Sequence, residues 1–362
     1  MKSRRDILKG AVTLIGIAAL PPCYAKTAST TKIAKFGKTE GALVRCSLCP
    51  RECLLKPGAT GLCRVRKNID NTLMTLGYSN PCAVHIDPIE KKPLYHVLPG
   101  SKAFSIAVAG CNLRCKNCQN YSISQASPLE TRNTYLPPQQ VVKEAVHSGC
   151  SAIAYTYSEP TVWYEYMYDT AKLAHEAGLK NLMITCGYIN LKPLEELCKY
   201  IDAANIDLKS FDNTIYKQLN AGQLDPVLNA IKLAHRKGVW VEITNLIVPD
   251  WTDNMDMIRT MCKWIRSTLG KDVPLHFSRF HPMYKLAHLF PTPTKTLESA
   301  KKIAQQEGLY YVYIGNVAGI DPNTYCPKCK KPIILRKGYV ITGNNIYEGT
   351  CKFCQTPVAG IW

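Results

Sequence analysis

The chain has 362 residues, of which 46% are hydrophobic, and this combination excludes an intrinsically disordered protein. Its formal net charge is +18, but it has no arginine-rich run and no basic stretch interleaved with aromatic residues, so nucleic-acid binding is disfavoured. Eleven of its seventeen cysteines fall in three clusters. Closely spaced cysteines in a chain of this size are more typical of metal ligands than of disulfides.

The amino terminus has the pattern of an export signal. Paired arginines, Arg4 and Arg5, precede an apolar run that is too short to span a bilayer, and Ala25 offers a small residue before a cleavage point. This pattern predicts a twin-arginine signal over residues 1–25 and a periplasmic or other extracytoplasmic protein. The alternative is a cytoplasmic protein with a basic start and a buried helix. We expect no transmembrane segment in the rest of the chain.

A polar linker is expected over residues 26–40, followed by a small cysteine-rich segment over residues 41–100. That segment carries four cysteines separated by two, three and nine residues, namely Cys46, Cys49, Cys53 and Cys63. Four ligands fit a structural zinc ion or a second iron–sulfur cluster, and the spacing does not choose between these metals. Disulfides are the third interpretation if the mature protein is exported.

Residues 101–320 follow one rhythm, in which short β-branched runs alternate with amphipathic helical patterns. The predicted strands are 103–110, 151–157, 180–186, 203–209, 239–249, 273–280 and 310–317. The clearest helical patterns are 223–238 and 254–270, each with apolar side chains on one face. This alternation predicts an α/β fold with a parallel sheet, and six strand–helix units fit a partial (β/α)6 barrel. In such barrels the chemistry lies at the carboxyl ends of the strands.

The sequence GCNLRCKNCQN, residues 110–120, follows the first of these strands and holds Cys111, Cys115 and Cys118. A four-iron cluster normally takes four thiolates and a tetrahedral zinc ion takes four ligands, so three cysteines leave one position open. An open position makes a metal site reactive, whereas a filled site is structural. The spacing differs from that of bacterial and plant-type ferredoxins, which favours a cluster with one open iron. A distant cysteine or histidine that completes the site is the alternative.

The last segment, residues 321–362, contains two Cys-x-x-Cys pairs. Their cysteines are Cys326, Cys329, Cys351 and Cys354. Two such pairs are typical of a zinc ribbon or a rubredoxin-like site. Because all four positions are filled, we expect a structural metal, with zinc as the first expectation and iron as the second. The stretch 332–347 between the pairs predicts a β-hairpin.

Three cysteines after the first strand of a six-unit parallel sheet resemble the radical S-adenosylmethionine (radical SAM) enzymes. Within them the chain is similar to the activating-enzyme branch, which includes the pyruvate formate-lyase activating enzyme, and most of all to the AmmeMemoRadiSam group. The resemblance covers roughly residues 41–362. It is carried by RCSLCPREC, PCAVHIDPIEKKPLYHVLPG, GCNLRCKNCQN, AYTYSEPTVWYEY, NIDLKSFD, VWVEITNLIVP, HFSRFHP, YIGNV and NTYCPKC.

This resemblance implies a chemistry and a set of site residues. The three cysteines of residues 110–120 would hold a [4Fe–4S] cluster whose open iron binds S-adenosylmethionine. The reduced cluster would then cleave it to methionine and a 5′-deoxyadenosyl radical, which abstracts a hydrogen atom from the substrate. The residues expected to contact S-adenosylmethionine are Glu159, Thr185, Asp207, Lys209 and His281. Cys82 is the candidate catalytic residue, as a buried thiol, an additional ligand or a hydrogen-atom donor.

Three positions depart from the family pattern. Asn117, Cys186 and Glu242 stand where related enzymes often have an aromatic residue, an asparagine and an arginine, respectively. The last difference is from pyruvate formate-lyase activators, so their peptide substrate is not carried over. The expected partners are S-adenosylmethionine, a low-potential electron donor and an unidentified substrate, with a protein as one candidate.

Two other functions compete with a radical enzyme. One is an iron–sulfur protein that only transfers electrons, and the other is a metal-stapled nucleic-acid-binding module. The stretches YSEP, DLK and FHP count against the first, because an electron carrier needs no residues that bind S-adenosylmethionine. A nucleic-acid module would show a steep dependence of binding on salt.

Overall fold

The structure is a computed structural model, and it describes residues 30–362. The predicted export signal, residues 1–25, and the first part of the predicted linker lie outside the described residues. Within residues 30–362, no helix has the length and apolar character needed to cross a membrane.

Six short strands precede the central sheet. They are β1 (Lys32–Ile33), β2 (Gly37–Glu40), β3 (Leu43–Cys46), β4 (Leu54–Leu55), β5 (Arg66–Ile69) and β6 (Thr72–Thr75). They form two antiparallel sheets, in the orders β1–β6–β5 and β2–β3–β4. Residues 30–40, which were predicted as linker, therefore contribute two strands, because pairing with β6 and β3 satisfies their backbone groups.

Eight strands form the central sheet. They are β7 (Ala83–Pro88), β8 (Lys102–Ala107), β9 (Ala152–Tyr155), β10 (Lys180–Thr185), β11 (Ala203–Asp207), β12 (Trp240–Ile247), β13 (Leu275–Arg279) and β14 (Val312–Gly315). They are hydrogen-bonded in chain order, with β8 to β14 parallel and β7 antiparallel to β8 at one end of the sheet. The parallel strands match the seven predicted runs, so the α/β prediction is confirmed. Strand β7 was missed, because His85 and Asp87 interrupt its apolar character within the segment 41–100.

Helices connect the strands of the central sheet. They are α1 (Tyr121–Ser124), α2 (Pro138–His147), α3 (Tyr164–Glu176), α4 (Leu191–Leu197), α5 (Asn213–Asn220), α6 (Leu224–Arg236), α7 (Met255–Thr268) and α8 (Thr294–Gln306). Short 3-10 helices occupy Ile89–Lys91, Pro160–Trp163 and Tyr284–Leu286. The two clearest helical patterns of the sequence correspond to α6 and α7. Asn254 caps α7 by accepting the amide of Met257 at 2.9 Å, a contact worth about 1 kcal/mol.

A buried carboxylate lies near the amino ends of the parallel strands. Glu242 on β12 is fully buried and accepts hydrogen bonds from the backbone amides of Tyr95 (3.0 Å) and His96 (2.8 Å). The ring of His276 on β13 pairs with the same carboxylate at 2.6 Å. Burial alone would raise the pKa of Glu242, but the hydrogen bond from His276, the two histidine rings and the His96 amide together outweigh burial and hold the pKa below its usual range. Glu242 therefore fastens the segment 89–101 to the amino end of the sheet.

The carboxyl-terminal tail also packs at this end. Its strands are β15 (Thr324–Tyr325), β16 (Pro332–Lys337), β17 (Val340–Asn344), β18 (Ile346–Tyr347) and β19 (Thr350–Cys351). Antiparallel pairing of β16 with β17 confirms the predicted hairpin. Arg336 donates to the carbonyl of Tyr95 at 2.7 Å, and the amide of Ile361 donates to the carbonyl of His96 at 2.8 Å. These contacts attach the tail to the segment 89–101.

Candidate active site and metal centres

The parallel pairing of β8 to β14 brings the residues that follow each strand to one edge of the sheet, here called the carboxyl edge. The predicted site residues at this edge come from five strands: Cys111 after β8, Glu159 after β9, Thr185 at the end of β10, Asp207 and Lys209 at and after the end of β11, and His281 after β13. The order of elements therefore collects side chains that are up to 170 positions apart in the sequence.

The loop with the three cysteines, residues 110–118, is held at its middle by backbone hydrogen bonds. The amides of Arg114 and Lys116 donate to the carbonyls of Asn220 and Leu219, both at 2.9 Å. These carbonyls belong to the last turn of α5, which has no partners for them within the helix. These hydrogen bonds fix the position of the loop and cap the carboxyl end of α5.

Glycine is required at the start of this loop. Gly110 has a φ of +111°, which L-residues rarely adopt. A Cβ placed on it would lie 2.4 Å from Cγ2 of Val65 and 2.6 Å from the carbonyl oxygen of Cys63. The amino-terminal segment therefore packs directly on the backbone of the loop, at a distance that only glycine permits.

The three thiols have polar neighbours suited to a negatively charged metal cluster. Cys115 is buried beside the carboxamide of Asn220, which is itself buried and has no nitrogen or oxygen partner for either of its polar atoms among the described residues. Lys209 contributes a positive charge near the thiols and pairs with Asp207 at 2.8 Å. Burial opposes the charge on Lys209, but its pairing with Asp207 contributes most to holding its pKa well above the usual range. The donor set fits an iron–sulfur cluster.

Cys186, on the loop after β10, is a neighbour that sequence reasoning did not assign. Its hydrogen bond to Cys111 lowers the pKa of the Cys111 thiol, whereas burial raises the pKa of Cys186 well above its usual range. Cys186 thus lies beside Cys111, and its sulfur also contacts the side-chain oxygen of Asn112 at 3.7 Å.

Glu159 links the ends of two strands and is almost fully buried. Its carboxylate accepts the hydroxyl of Thr185 at 2.6 Å and the amide of Cys186 at 2.8 Å. It also caps the 3-10 helix Pro160–Trp163 by accepting the amide of Thr161 at 3.1 Å. A carboxylate can accept about four hydrogen bonds, so one acceptor position is left for a ligand. The structure joins Thr185 and Glu159 in one unit.

Cys82 and His281 also lie at the carboxyl edge. Cys82 precedes β7, whose first residue, Ala83, is opposite Ala107 at the end of β8, and its thiol faces the Ala107 carbonyl at 3.5 Å. Burial raises the pKa of Cys82 to about 11, so the thiol is protonated at neutral pH. His281 is exposed, and its ring contacts the carbonyl of Asn316 at 3.3 Å. The structure does not bring His281 into contact with the other predicted site residues.

A second polar cluster borders the same loop and was not found from the sequence. Lys92 and Asp87 are both buried and form an ion pair, and the hydroxyl of Tyr157 donates to the same carboxylate. Burial lowers the pKa of Lys92 to about 8, although Asp87 partly opposes this shift. Tyr157 is connected to the loop, because its carbonyl accepts the side-chain amide of Asn120 at 2.7 Å. A lysine five residues after an aspartate is the only local signal for this cluster.

The thiols of the tail lie close together. The sulfurs of Cys326 and Cys354 are 3.6 Å apart, those of Cys329 and Cys351 are 3.8 Å apart, and all four are within 4.8 Å of one another. Tetrahedral coordination with metal–sulfur bonds of about 2.3 Å places thiolates about 3.8 Å apart, so these four fit one ion.

The thiols of the amino-terminal segment are also brought together, but around a cavity. Cys46, Cys49, Cys53 and Cys63 all line one cavity of about 20 Å³. All sixteen cysteines within residues 30–362 are free, so the structure has no disulfide among them.

Comparison with known proteins relates the chain to one superfamily. Residues 105–265 match the family model described as the radical SAM superfamily. An uncharacterized protein of Methanocaldococcus jannaschii is 46% identical over 328 residues, which cover 89% of this chain and 97% of that protein. The pyruvate formate-lyase-activating enzyme of Clostridium pasteurianum is 27% identical over 161 residues, which cover 44% of this chain and 67% of that enzyme.

Two solved structures share parts of the fold. A crystal structure of Streptococcus suis SuiB bound to S-adenosylmethionine aligns with 64% of this chain and 53% of its own, at a TM-score of 0.48 and 13% identity. A domain of the pyruvate-formate lyase-activating enzyme of Bacteroides vulgatus aligns with 46% of this chain and 99% of its own, at a TM-score of 0.41 and 16% identity.

The packing at Gly110 gives a test of how the loop is held. We expect Gly110→Ala to lower the free energy of unfolding by about 3 kcal/mol or more and to reduce the iron content after reconstitution, because strain and a steric clash add. Gly178→Ala is the matched control: its φ is +76° and a Cβ there meets nothing within 4 Å, so it should cost only about 1–2 kcal/mol. Thermal unfolding and iron analysis measure both effects. Equal behaviour of the two variants would contradict the packing described here.

Proposed function

Because the chain belongs to the radical SAM superfamily, we propose that it binds a [4Fe–4S] cluster at Cys111, Cys115 and Cys118 and cleaves S-adenosylmethionine reductively. The chain is an enzyme of the radical SAM type. Three thiols on one loop, beside Glu159 and Lys209 at the carboxyl edge, are the observation that supports this reaction. We also propose that the parallel strands of the central sheet form the partial (β/α)6 barrel predicted from the sequence.

When bound and reduced, the cluster supplies one electron that breaks a carbon–sulfur bond of S-adenosylmethionine. The residues of the chain would bind the cluster and bind and orient S-adenosylmethionine. Cys111, Cys115 and Cys118 would hold the cluster as thiolates, and three protein ligands would leave it able to bind S-adenosylmethionine. Glu159 has one acceptor position left and a negative charge, which suits the amino group. Asp207 and Lys209 point from one strand end toward the same edge and would contact the remainder of the molecule.

The substrate after S-adenosylmethionine cleavage is proposed by class only. The activating enzymes that this chain resembles support a protein partner as substrate, and membership in the AmmeMemoRadiSam group is the finer form of this proposal. Glu242 stands where pyruvate formate-lyase activators have an arginine, and it is fully buried at the amino end of the sheet. This position lies away from the carboxyl edge, so the difference there does not identify a substrate, and the peptide substrate of those enzymes is not carried over. A low-potential electron donor completes the set of partners.

Cys82 is proposed as a hydrogen-atom donor at the same edge. Its raised pKa keeps the S–H bond intact at neutral pH, and the thiol lies at the end of β8, where the loop with the three cysteines begins. A thiolate at this position would have no hydrogen atom to give.

The central reaction has a direct test. We expect the anaerobically reconstituted protein, given dithionite and S-adenosylmethionine, to form 5′-deoxyadenosine, and Cys115→Ala to abolish its formation, because two thiolates do not hold the cluster. Cys150→Ala is the control, since Cys150 is a buried cysteine after α2, at the amino end of β9. Wild-type protein that carries the cluster but forms no 5′-deoxyadenosine would favour the electron-transfer alternative.

We also propose that the four tail thiols hold zinc. Their separations fit one tetrahedral ion, and four thiolates leave no position for a substrate, so the metal should act on stability. The tail strands are too short to fold without such support.

The zinc proposal predicts a selective loss. Cys351→Ser should release about one zinc ion per chain and lower the thermal midpoint, while the iron content stays at the wild-type value. Metal analysis by mass spectrometry measures both metals in one sample. If the variant keeps its full zinc content, the four thiols are not the site.

The location of the protein is proposed from residues outside the described range. Arg4 and Arg5 before a short apolar run favour export by the twin-arginine route, which carries folded and cofactor-loaded proteins. Arg4→Lys together with Arg5→Lys should keep the protein in the cytoplasm, as cell fractionation would show. A wild-type protein that stays unprocessed in the cytoplasm would refute export.

A further inference from the structure

The cavity in the amino-terminal segment, here called the thiol cavity, lies between four cysteines. Cys46 ends β3, Cys49 and Cys53 lie on the loop between β3 and β4, and Cys63 lies on the loop before β5. The other walls combine the apolar side chains of Leu48 and Val162 with the polar side chains of Arg51, Arg66 and Asn112. Protein interiors are close-packed, and a cavity enclosed by four thiols therefore indicates a bound group.

The separations of these thiols distinguish a cluster from a single ion. In the tail, four sulfurs lie within 4.8 Å of one another. Among the described residues, neither the four cysteines of the thiol cavity nor Cys111, Cys115 and Cys118 form such a convergent group. Thiolates on one ion must converge, whereas each thiolate of a four-iron cluster binds its own iron and stays farther from the others. The thiol cavity thus shares the wider arrangement of the central three cysteines.

The cavity wall also offers hydrogen-bond donors that suit an anionic cluster. Arg66 lines the cavity and is 2% exposed, and its Nε has no hydrogen-bond partner among the described residues, although its other two nitrogens bind Glu165. The amides of Val65 and Arg66 are within hydrogen-bond reach of the Cys63 sulfur. Such N–H groups stabilise cluster thiolates and tune their potential.

The backbone leaves room for the group between two of the thiols. A Cβ placed on Gly61 would lie 3.7 Å from the sulfurs of both Cys53 and Cys63. The φ of Gly61 is not in the region that favours glycine, so the backbone itself does not require glycine here. The absence of a side chain keeps the space beside the two sulfurs open.

We propose that Cys46, Cys49, Cys53 and Cys63 hold a second [4Fe–4S] cluster with all four irons ligated by the protein. A full set of thiolates leaves no open iron, so this cluster does not bind S-adenosylmethionine. It lies next to the central cluster, because Asn112 lines the thiol cavity, contacts Cys49 and directly follows Cys111. The site stands on its own observations and does not depend on the reaction proposed for the central cluster.

Removing the cysteine ligands of the central cluster distinguishes the two clusters experimentally. The triple variant Cys111→Ala, Cys115→Ala and Cys118→Ala, reconstituted anaerobically with iron and sulfide, should retain about four iron and four sulfide per chain, against about eight of each in the wild type. Its reduced form should give an electron paramagnetic resonance signal that S-adenosylmethionine does not change. The reduced wild type should show a broadened signal from two adjacent spins.

Two further variants of the triple mutant identify the ligands. Adding Cys49→Ser and Cys63→Ser should remove the remaining iron, whereas adding Cys150→Ser and Cys198→Ser, two cysteines outside the cavity, should leave it in place. A triple variant with zinc in place of iron, or with neither metal beyond the tail ion, would overturn the proposal. A wild type with about four iron, whose unbroadened signal changes when S-adenosylmethionine is added, would overturn it even if the variants did not fold, because its one cluster would then be the central one. If instead the central cysteines bind no cluster, the triple variant and the wild type should have the same iron content.

Discussion

Parallel pairing of the seven strands from β8 to β14 is the constraint on which the other features depend. Parallel strands must be connected by crossovers, so each strand is followed by a return segment outside the sheet. All seven carboxyl ends consequently lie at one edge, and the backbone groups there need partners from loops and side chains. Glu159 shows how this need becomes a site: it accepts the amide of Cys186 at the end of β10 and caps the 3-10 helix that follows the neighbouring strand β9.

At the opposite edge of the sheet, the amino edge, buried polar groups also require hydrogen-bond partners. Burying a carboxylate costs several kcal/mol unless hydrogen bonds compensate, and Glu242 receives two backbone amides and the His276 ring. An arginine at this position would bring donors where the amides of Tyr95 and His96 require an acceptor. A glutamate at this position is therefore explained by the segment 89–101, which passes across the amino end. Because this segment covers the amino end, it does not cover the site at the carboxyl edge.

Local patterns explain what the sequence could predict. The seven parallel strands, the hairpin of the tail and the grouping of the cysteines all depend on periodicity or spacing within a few residues, and the structure has them at the predicted places. Strand β7 was not predicted, because a short edge strand that contains polar side chains has no distinct sequence pattern. The predicted residues Glu159 and Thr185 form one hydrogen-bonded unit, whereas His281 lies apart from them.

What the sequence could not predict depends on partners that are distant along the chain. Glu242 meets an amide 147 positions away, and Tyr157 meets Asp87 70 positions away. The contact between Cys186 and Cys111 likewise joins two thiols that are far apart along the chain. Such pairings are set by tertiary packing, and a single sequence carries no record of them.

Metal type is a further case in which spacing along the chain is insufficient. Cys46 and Cys49 have the same two-residue spacing as Cys326 and Cys329, yet their surroundings differ. In the tail, a hairpin returns the second pair of cysteines against the first and the sulfurs converge. In the amino-terminal segment, the remaining cysteines follow at longer intervals on separate loops, and the sulfurs surround a cavity instead. The distance between sulfurs, which the fold sets, is therefore the property that separates a site for one ion from a site for a cluster.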